Sequence, residues 1–159
     1  MSTANVIRRL CPFVVVSMFA CACGRSARED FVPELGQLML LQQARHTKLW
    51  FAGQAGNWGL ADYEAEELGE GFDDVIKYHP IRQEMPVAPK DAIPRMITEP
   101  LASLRDAIRQ KDHTLFEERY DVLTTACNNC HRATNVGFNQ MQRPETNPFP
   151  NQIFSAPEN

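Results

Sequence analysis

The chain of 159 residues has little positive charge and no internal regularity. It carries 16 Lys and Arg against 20 Asp and Glu, a formal net charge of −4 at pH 7. Because this balance offers no excess of positive charge to phosphate groups, we expect no nucleic-acid partner. There is also no internal repeat and no low-complexity block, so the composition favours one compact domain over a repeat or fibrous architecture.

No apolar run reaches the length of about 20 residues that a membrane-spanning helix needs. The run from Leu10 to Ala22 follows Arg8 and Arg9 and precedes the charged segment Arg25–Asp30. This order is typical of a secretory signal peptide, which predicts removal of residues 1–22 and a periplasmic or other extracytoplasmic location. The mature chain would have 137 residues, with 14 basic and 20 acidic side chains.

Two outcomes are open for cleavage after Ala22. The segment Ala20-Cys21-Ala22-Cys23 resembles a degenerate bacterial lipobox that lacks the usual leucine. In that interpretation Cys23 becomes the lipidated N-terminus and holds the protein at a membrane surface. In the other, Ala20 to Ala22 is an ordinary A-x-A cleavage site and the released protein carries no anchor.

Of the five cysteines, only Cys127 and Cys130 form a recognisable pair, and no second pair exists. A structural zinc site needs four ligands. The other ligands that the chain offers are His46, His79, His113 and Cys23, none of them in a second knuckle. A thioredoxin-like redox pair needs a preceding strand, where this chain has helical patterns instead. The absence of these partners disfavours both zinc binding and dithiol chemistry.

The pair is followed directly by His131, which completes the sequence CNNCH. CxxCH is the attachment sequence of a c-type haem. On a helix, Cys127 and Cys130 share one face, from which their thiols can form thioethers to the two vinyl groups of a porphyrin. His131 lies four residues beyond Cys127 on the same face and is the expected proximal iron ligand. The sequence therefore predicts one covalent haem c.

Four segments carry apolar residues at helical spacing. The first runs from Pro33 to about Gln54, and the second, capped by Asn57, from Trp58 to about Tyr78. Residues 79–91 contain three prolines and predict a connection.

The third segment spans Ile93 to Ile108. Pro94 is expected in its first turn, and Pro100 is expected to kink the helix or to mark its true start. The fourth begins at a cap, either Asp112 or Thr114 with Glu117 as a capping box. Its apolar stripe continues through the haem cysteines, which predicts a haem on the inner face of the last helix.

A signal peptide, four amphipathic helices and one CxxCH near the end of the fourth resemble the class II cytochromes c, the cytochrome c prime type. The resemblance covers about residues 31–134 and implies an all-α, antiparallel four-helix bundle. It also implies single-electron exchange with redox partner proteins or the binding of a small gas, and a possible homodimer. The tail, residues 135–159, departs from the family. Its prolines and asparagines predict extended chain that packs over the bundle through five apolar residues: Phe138, Met141, Phe149, Ile153 and Phe154.

The sixth iron ligand remains open among His46, Met39, Met141 and an open position. In class II cytochromes the first helix supplies the distal side three or four turns from its start, and the thirteenth residue after Pro33 is His46. His46 is therefore the preferred candidate, with a hydrogen-bonded core histidine as the alternative. Met39 lies about 10 Å away along the helix, so the two cannot both reach one iron. Met141 would have to fold back from the tail.

These patterns predict an exported monohaem cytochrome that carries single electrons and is not an enzyme. A five-coordinate haem that binds nitric oxide or carbon monoxide is the second hypothesis. A haem enzyme such as a peroxidase, with His46 as a distal acid–base group, is the third. Four basic residues are candidates to pair with haem propionates: Arg45, Lys48, Arg132 and Arg143.

Overall fold

The computed structural model describes residues 31–157, and the regular structure in that part of the chain is entirely helical. Its five helices are α1 (Leu35–Gln54), α2 (Trp58–Tyr78), α3 (Pro89–Met96), α4 (Thr98–Gln110) and α5 (His113–Ala133). The predicted all-α class is confirmed. Within these residues no helix is both long and apolar enough to cross a membrane. The predicted signal peptide and the lipid anchor at Cys23 lie outside the described residues.

Polar side chains determine where α2 and α5 begin. The Asn57 Oδ1 atom accepts a hydrogen bond from the Leu60 amide at 3.2 Å, and the Asp112 Oδ1 atom accepts one from the Leu115 amide at 3.0 Å. Each bond satisfies an amide that has no partner inside the helix. Asn57 is therefore confirmed as a cap. Asp112, not a capping box at Thr114, opens α5.

The predicted third helix is wrong in one respect, because the chain forms two helices there. Helix α3 begins at Pro89, so Pro94 lies inside it and not in its first turn. Ile97 separates α3 from α4, and Pro100 lies in the first turn of α4. Pro100 has no N–H to donate to the preceding turn and its ring crowds that turn, which favours a break before it. The expectation that Pro100 marks a true start is met.

The core lies between the helix faces that the apolar patterns indicated. Helix α1 packs chiefly on α2, and α4 chiefly on α5. Gly53 lets α1 approach α5 closely, since a Cβ atom at this position would lie 2.1 Å from the Phe116 ring. The Phe116 ring is fully buried there, and the Trp50 and Tyr120 rings lie against it. This aromatic group fixes the spacing of α1 and α5.

The tail has no regular secondary structure and runs back along α5. Arg143 makes a bidentate bond with Asp121, at 2.6 and 2.7 Å, and its guanidinium lies over the Trp50 ring. Further along, the Phe154 ring packs on Phe51 with ring centroids 5.6 Å apart. Two of the five apolar residues of the tail do not pack as expected, because Phe138 is 87% exposed and Ile153 is 81% exposed.

Candidate functional site

Within residues 31–157, two cavities border both Cys127 and His131 of the CNNCH sequence on α5. The smaller, of about 260 Å³, is lined by α1, α2, α5 and the tail. The larger, of about 410 Å³, is also lined by α3 and by the segment between α2 and α3. They share six lining residues: Gly36, Met39, Phe72, Cys127, His131 and Asn139. The larger cavity falls in the size range of sites for small molecules and cofactors.

Cys127 and Cys130 are partly buried, pack beside the core and form no disulfide. Both border the larger cavity. Burial, with a smaller contribution from Cys130, raises the pKa of the Cys127 thiol to about 12, and burial also raises the pKa of Cys130. Because thiol–disulfide chemistry requires a lowered pKa, these thiols do not suit a redox pair. They do suit covalent attachment of a group that occupies the cavity.

His131 borders both cavities and has one ring nitrogen fixed. Its Nδ1 atom lies 2.6 Å from the Asn139 carbonyl oxygen. Because a carbonyl oxygen only accepts hydrogen bonds, Nδ1 carries the proton and Nε2 keeps its lone pair. No hydrogen bond within residues 31–157 uses this Nε2 atom. A histidine held in this way has the tautomer of a metal ligand, with its Nδ1–H bound to an outer-shell carbonyl.

Asn128, the first of the two residues between the cysteines, is bonded to the tail. Its Nδ2 atom donates to the Met141 carbonyl oxygen at 2.9 Å, and its Oδ1 atom accepts from the Met141 amide at 2.7 Å. The neighbouring Asn129 is exposed, and among the described residues its side chain bonds only Arg132. Nothing in a CxxCH pattern shows which of the two asparagines faces a returning tail.

His46 is 2% exposed and both of its ring nitrogens have partners. The Thr124 hydroxyl donates to the Tyr120 carbonyl, so its oxygen accepts the His46 Nε2 proton at 2.9 Å. The Tyr120 hydroxyl lies 2.9 Å from Nδ1 and 3.0 Å from the His46 carbonyl oxygen, so its one proton is shared between two acceptors. Burial lowers the pKa of His46 to about 4 and keeps the ring neutral. Although His46 borders the smaller cavity, binding iron there would cost it one of these bonds.

The two candidate methionines border the cavities as well. Met39 lines both, and Met141 lines the smaller one. A third methionine, Met85, lines the larger cavity from the segment between α2 and α3, where no periodic pattern drew attention to it. Between Met39 and His46 lies Gln42, a buried amide whose two polar atoms have no partner among the described residues. The cavity walls therefore combine thioethers with one unpaired polar group.

The four basic residues suggested for propionate pairing have other partners. Arg45 pairs with Glu67 at 2.7 Å, Lys48 lies 3.8 Å from Glu64, and Arg143 pairs with Asp121. The Arg132 guanidinium donates to the Asn129 side chain. Arg82 was not among the candidates. It lines the larger cavity, pairs there with Glu84, and has a buried Nε atom without a partner among the described residues. It is the basic side chain best placed to meet an acidic group in that cavity.

The remaining histidines lie apart from the thiols. The His79 ring bonds the Pro33 carbonyl at 2.7 Å, and the His113 ring lies against Trp58. Among the described residues, no three His, Cys, Asp or Glu side chains come together as metal ligands. Comparison of the chain with protein-family models, with curated proteins and with solved structures finds no match.

Proposed function

We propose that the protein is a monohaem c-type cytochrome that carries single electrons. The observation that carries the proposal is the His131 ring, whose Nδ1 is bound to the Asn139 carbonyl while Nε2 is left for a ligand. It stands beside two unpaired thiols at an apolar cavity. When bound, haem would supply an iron that gains and loses one electron. Cys127 and Cys130 would hold it, His131 would ligate it, and the cavity walls would exclude water.

The class II arrangement is part of this proposal. Three residues join α1 to α2, and two join α4 to α5. Connections this short are typical of antiparallel neighbours in helical bundles. If α3 and α4 are counted as one broken element, four helical elements remain, with CNNCH near the end of the last. The tail that follows α5 would then be an addition to the bundle.

For the sixth iron position we propose Met39 in place of His46. Met39 lines both cavities together with Cys127 and His131. Its thioether sulfur is a known haem ligand and needs no hydrogen-bond partner when buried. His46 would instead have to leave Thr124 or Tyr120. A thioether ligand raises the reduction potential and suits a carrier whose ligands stay in place.

The test is the absorption spectrum of the full chain produced in a host that attaches haem c. We expect a covalent haem in the wild type and in N129A, and none in the double variant C127A/C130A. The reduced protein should give sharp low-spin bands that carbon monoxide leaves unchanged, and Met39→Ala should make them broad and sensitive to the gas. A wild type without covalent haem would disprove the cytochrome proposal.

Gas binding is the second candidate function, favoured by Gln42. Its amide is buried beside the smaller cavity without a partner among the described residues, so it is available to a diatomic ligand or to water. In this case the reduced wild type binds carbon monoxide at once, and Gln42→Leu weakens the binding. The same spectra thus separate the two functions.

Export and a membrane location are also proposals, because residues 1–30 lie outside the described part. Cell fractionation of the wild type and of Cys23→Ser tests them together. An anchored wild type and a released variant support lipidation at Cys23. A wild type found in the periplasmic soluble fraction supports export without an anchor.

A further inference from the structure

We propose that Asn128 is a positioning residue, which ties the tail to α5 and thereby fixes the ring of His131. The inference rests on the proposed function, since the ring matters only if His131 binds iron. It assigns a role to one of the two residues within CNNCH that the attachment chemistry itself does not use. It also gives the tail a role at the site, which is to hold the Asn139 carbonyl against the His131 ring.

The bond between Asn128 and the tail has a specific chemistry. One carboxamide donates to the carbonyl of Met141 and accepts from its amide, at 2.9 and 2.7 Å. This pairing needs a donor and an acceptor at a fixed separation, which only an amide side chain provides. Asp would keep the acceptor alone, and Ala would keep neither. Asn128 thus holds the backbone of one tail residue at two atoms.

The chain between α5 and Met141 is short and is held at both ends. At its start, the Val136 amide bonds the His131 carbonyl at 2.8 Å. The Asn139 amide then bonds the Val136 carbonyl at 2.9 Å, closing a turn. Two residues later, Asn128 holds Met141. The Asn139 carbonyl that receives the His131 Nδ1 proton therefore lies between two fixed points.

This geometry has a consequence for the ligand strength of His131. A hydrogen bond from Nδ1–H to a carbonyl orients the ring and makes Nε2 a stronger electron donor. A stronger donor stabilises ferric iron and lowers the reduction potential. If the tail is released at Met141, the next fixed point on that side is Arg143, bonded to Asp121, and the Asn139 carbonyl is held less closely. The bond to His131 should then weaken and the potential should rise.

The neighbouring Asn129 provides a matched control. It has the same side chain, lies in the same motif, and makes no hydrogen bond to the tail within residues 31–157. The experiment compares N128A, N128D and N129A in the full chain. Two quantities are measured on each preparation: the exchange rate of the Met141 amide proton, and the reduction potential of the attached haem.

We expect N128A to exchange the Met141 amide about fivefold faster, because a hydrogen bond is worth about 1 kcal/mol. Its potential should shift upward, that of N128D should shift less, and N129A should match the wild type in both measurements. Unchanged exchange in N128A would show that Asn128 does not hold the tail at Met141. Faster exchange with an unchanged reduction potential would show that Asn128 holds the tail but does not position His131. Either result overturns the inference.

Failure of the underlying function remains distinguishable. If the wild type attaches no haem, the tautomer of His131 is read from the nitrogen NMR spectrum of the same variants. A positioned ring carries its proton on Nδ1 in the wild type and N129A, and shifts toward Nε2–H in N128A. An Nε2–H ring in the wild type would refute the positioning role.

Discussion

His46 and His131 both have hydrogen-bond partners on or beside α5, but they differ in what is left unused. His46 lies among Tyr120 and Thr124, which occupy both of its ring nitrogens. His131 has only the Asn139 carbonyl, and its second nitrogen borders a cavity. The first region is closed, because each ring nitrogen already has a hydroxyl partner. The second is open, with a free lone pair beside two free thiols.

The difference shows how to separate a structural polar group from a functional one. A buried donor or acceptor without a partner costs about 1–3 kcal/mol, so a folded chain normally pairs it. Where pairing is complete, as at His46, the group stabilises the fold. Unused groups gather at a cavity at Cys127, Cys130 and His131, where they are available to the haem that we propose.

Replacing each histidine by Ala is the strongest test of this comparison. His46→Ala should lower the free energy of unfolding by about 3 kcal/mol, because it leaves a cavity and removes the two buried hydrogen bonds of the ring. His131→Ala should cost less than about 1 kcal/mol, since its ring is partly exposed and has one partner. Urea titration measures both. Equal losses, or a change of haem spin state in His46→Ala, would break the comparison and restore His46 as ligand.

Acid should act on the closed region with an effect nearly as large. Burial lowers the pKa of His46 from 6.5 to about 4. Between these values the unfolded chain binds a proton that the folded chain refuses, so stability falls as the pH is lowered. The loss should reach about 3 kcal/mol by pH 4. In His46→Gln the unfolding free energy should vary less over this pH range, and an identical pH dependence in both proteins would contradict the assignment.

Two glycines sharpen the contrast between a rigid region and an adjustable one. A Cβ at Gly53 meets the buried Phe116 ring, whereas at Gly71 it meets the flexible ends of Gln42 and Arg45. Gly53→Ala should therefore cost about 2 kcal/mol through overpacking. Gly71→Ala should cost much less, because those side chains can move aside. Thermal unfolding compares them, and the reverse order would mean that the cavity wall is the stiffer of the two.

The smallest effect is expected at Thr124. Thr124→Val removes the oxygen that accepts the His46 Nε2 proton and should cost about 1 kcal/mol. Thr124→Ser keeps that oxygen and should recover most of the loss. If Val is as stable as the wild type in urea titration, Nε2 is not bound to Thr124 and is available to a ligand.

Much of the fold could be predicted because its causes are local. The period of apolar residues and the caps at Asn57 and Asp112 located α2 and α5 closely. At Pro100 the sequence predicted either a kink or a helix start, because a proline shows that a helix is interrupted but does not show whether the chain bends or begins anew. Whether α3 and α4 form one element depends on how their apolar faces meet the other helices.

The site could be predicted only in its covalent part. Cys127, Cys130 and His131 follow from a spacing that attachment chemistry requires. The role of His46 depended on which residues of α5 lie opposite it, and these are 74 and 78 residues away. Position along α1 placed it on the inner face but did not show that hydroxyl groups would occupy both nitrogens. No sequence pattern indicated a role for Asn128, Arg82 or Met85.

The sequence by itself determined the helices, their caps and the prediction of an attached haem, because each depends on residues within a few turns of one another. Only the tertiary structure decided which groups are satisfied and which remain free. It joined Tyr120 and Thr124 to His46, and it brought the tail back to Asn128 and His131. Hydrogen bonds between distant segments form only after the helices pack. The CNNCH sequence therefore predicted His131 as a ligand, and the packing showed that the Asn139 carbonyl holds its ring.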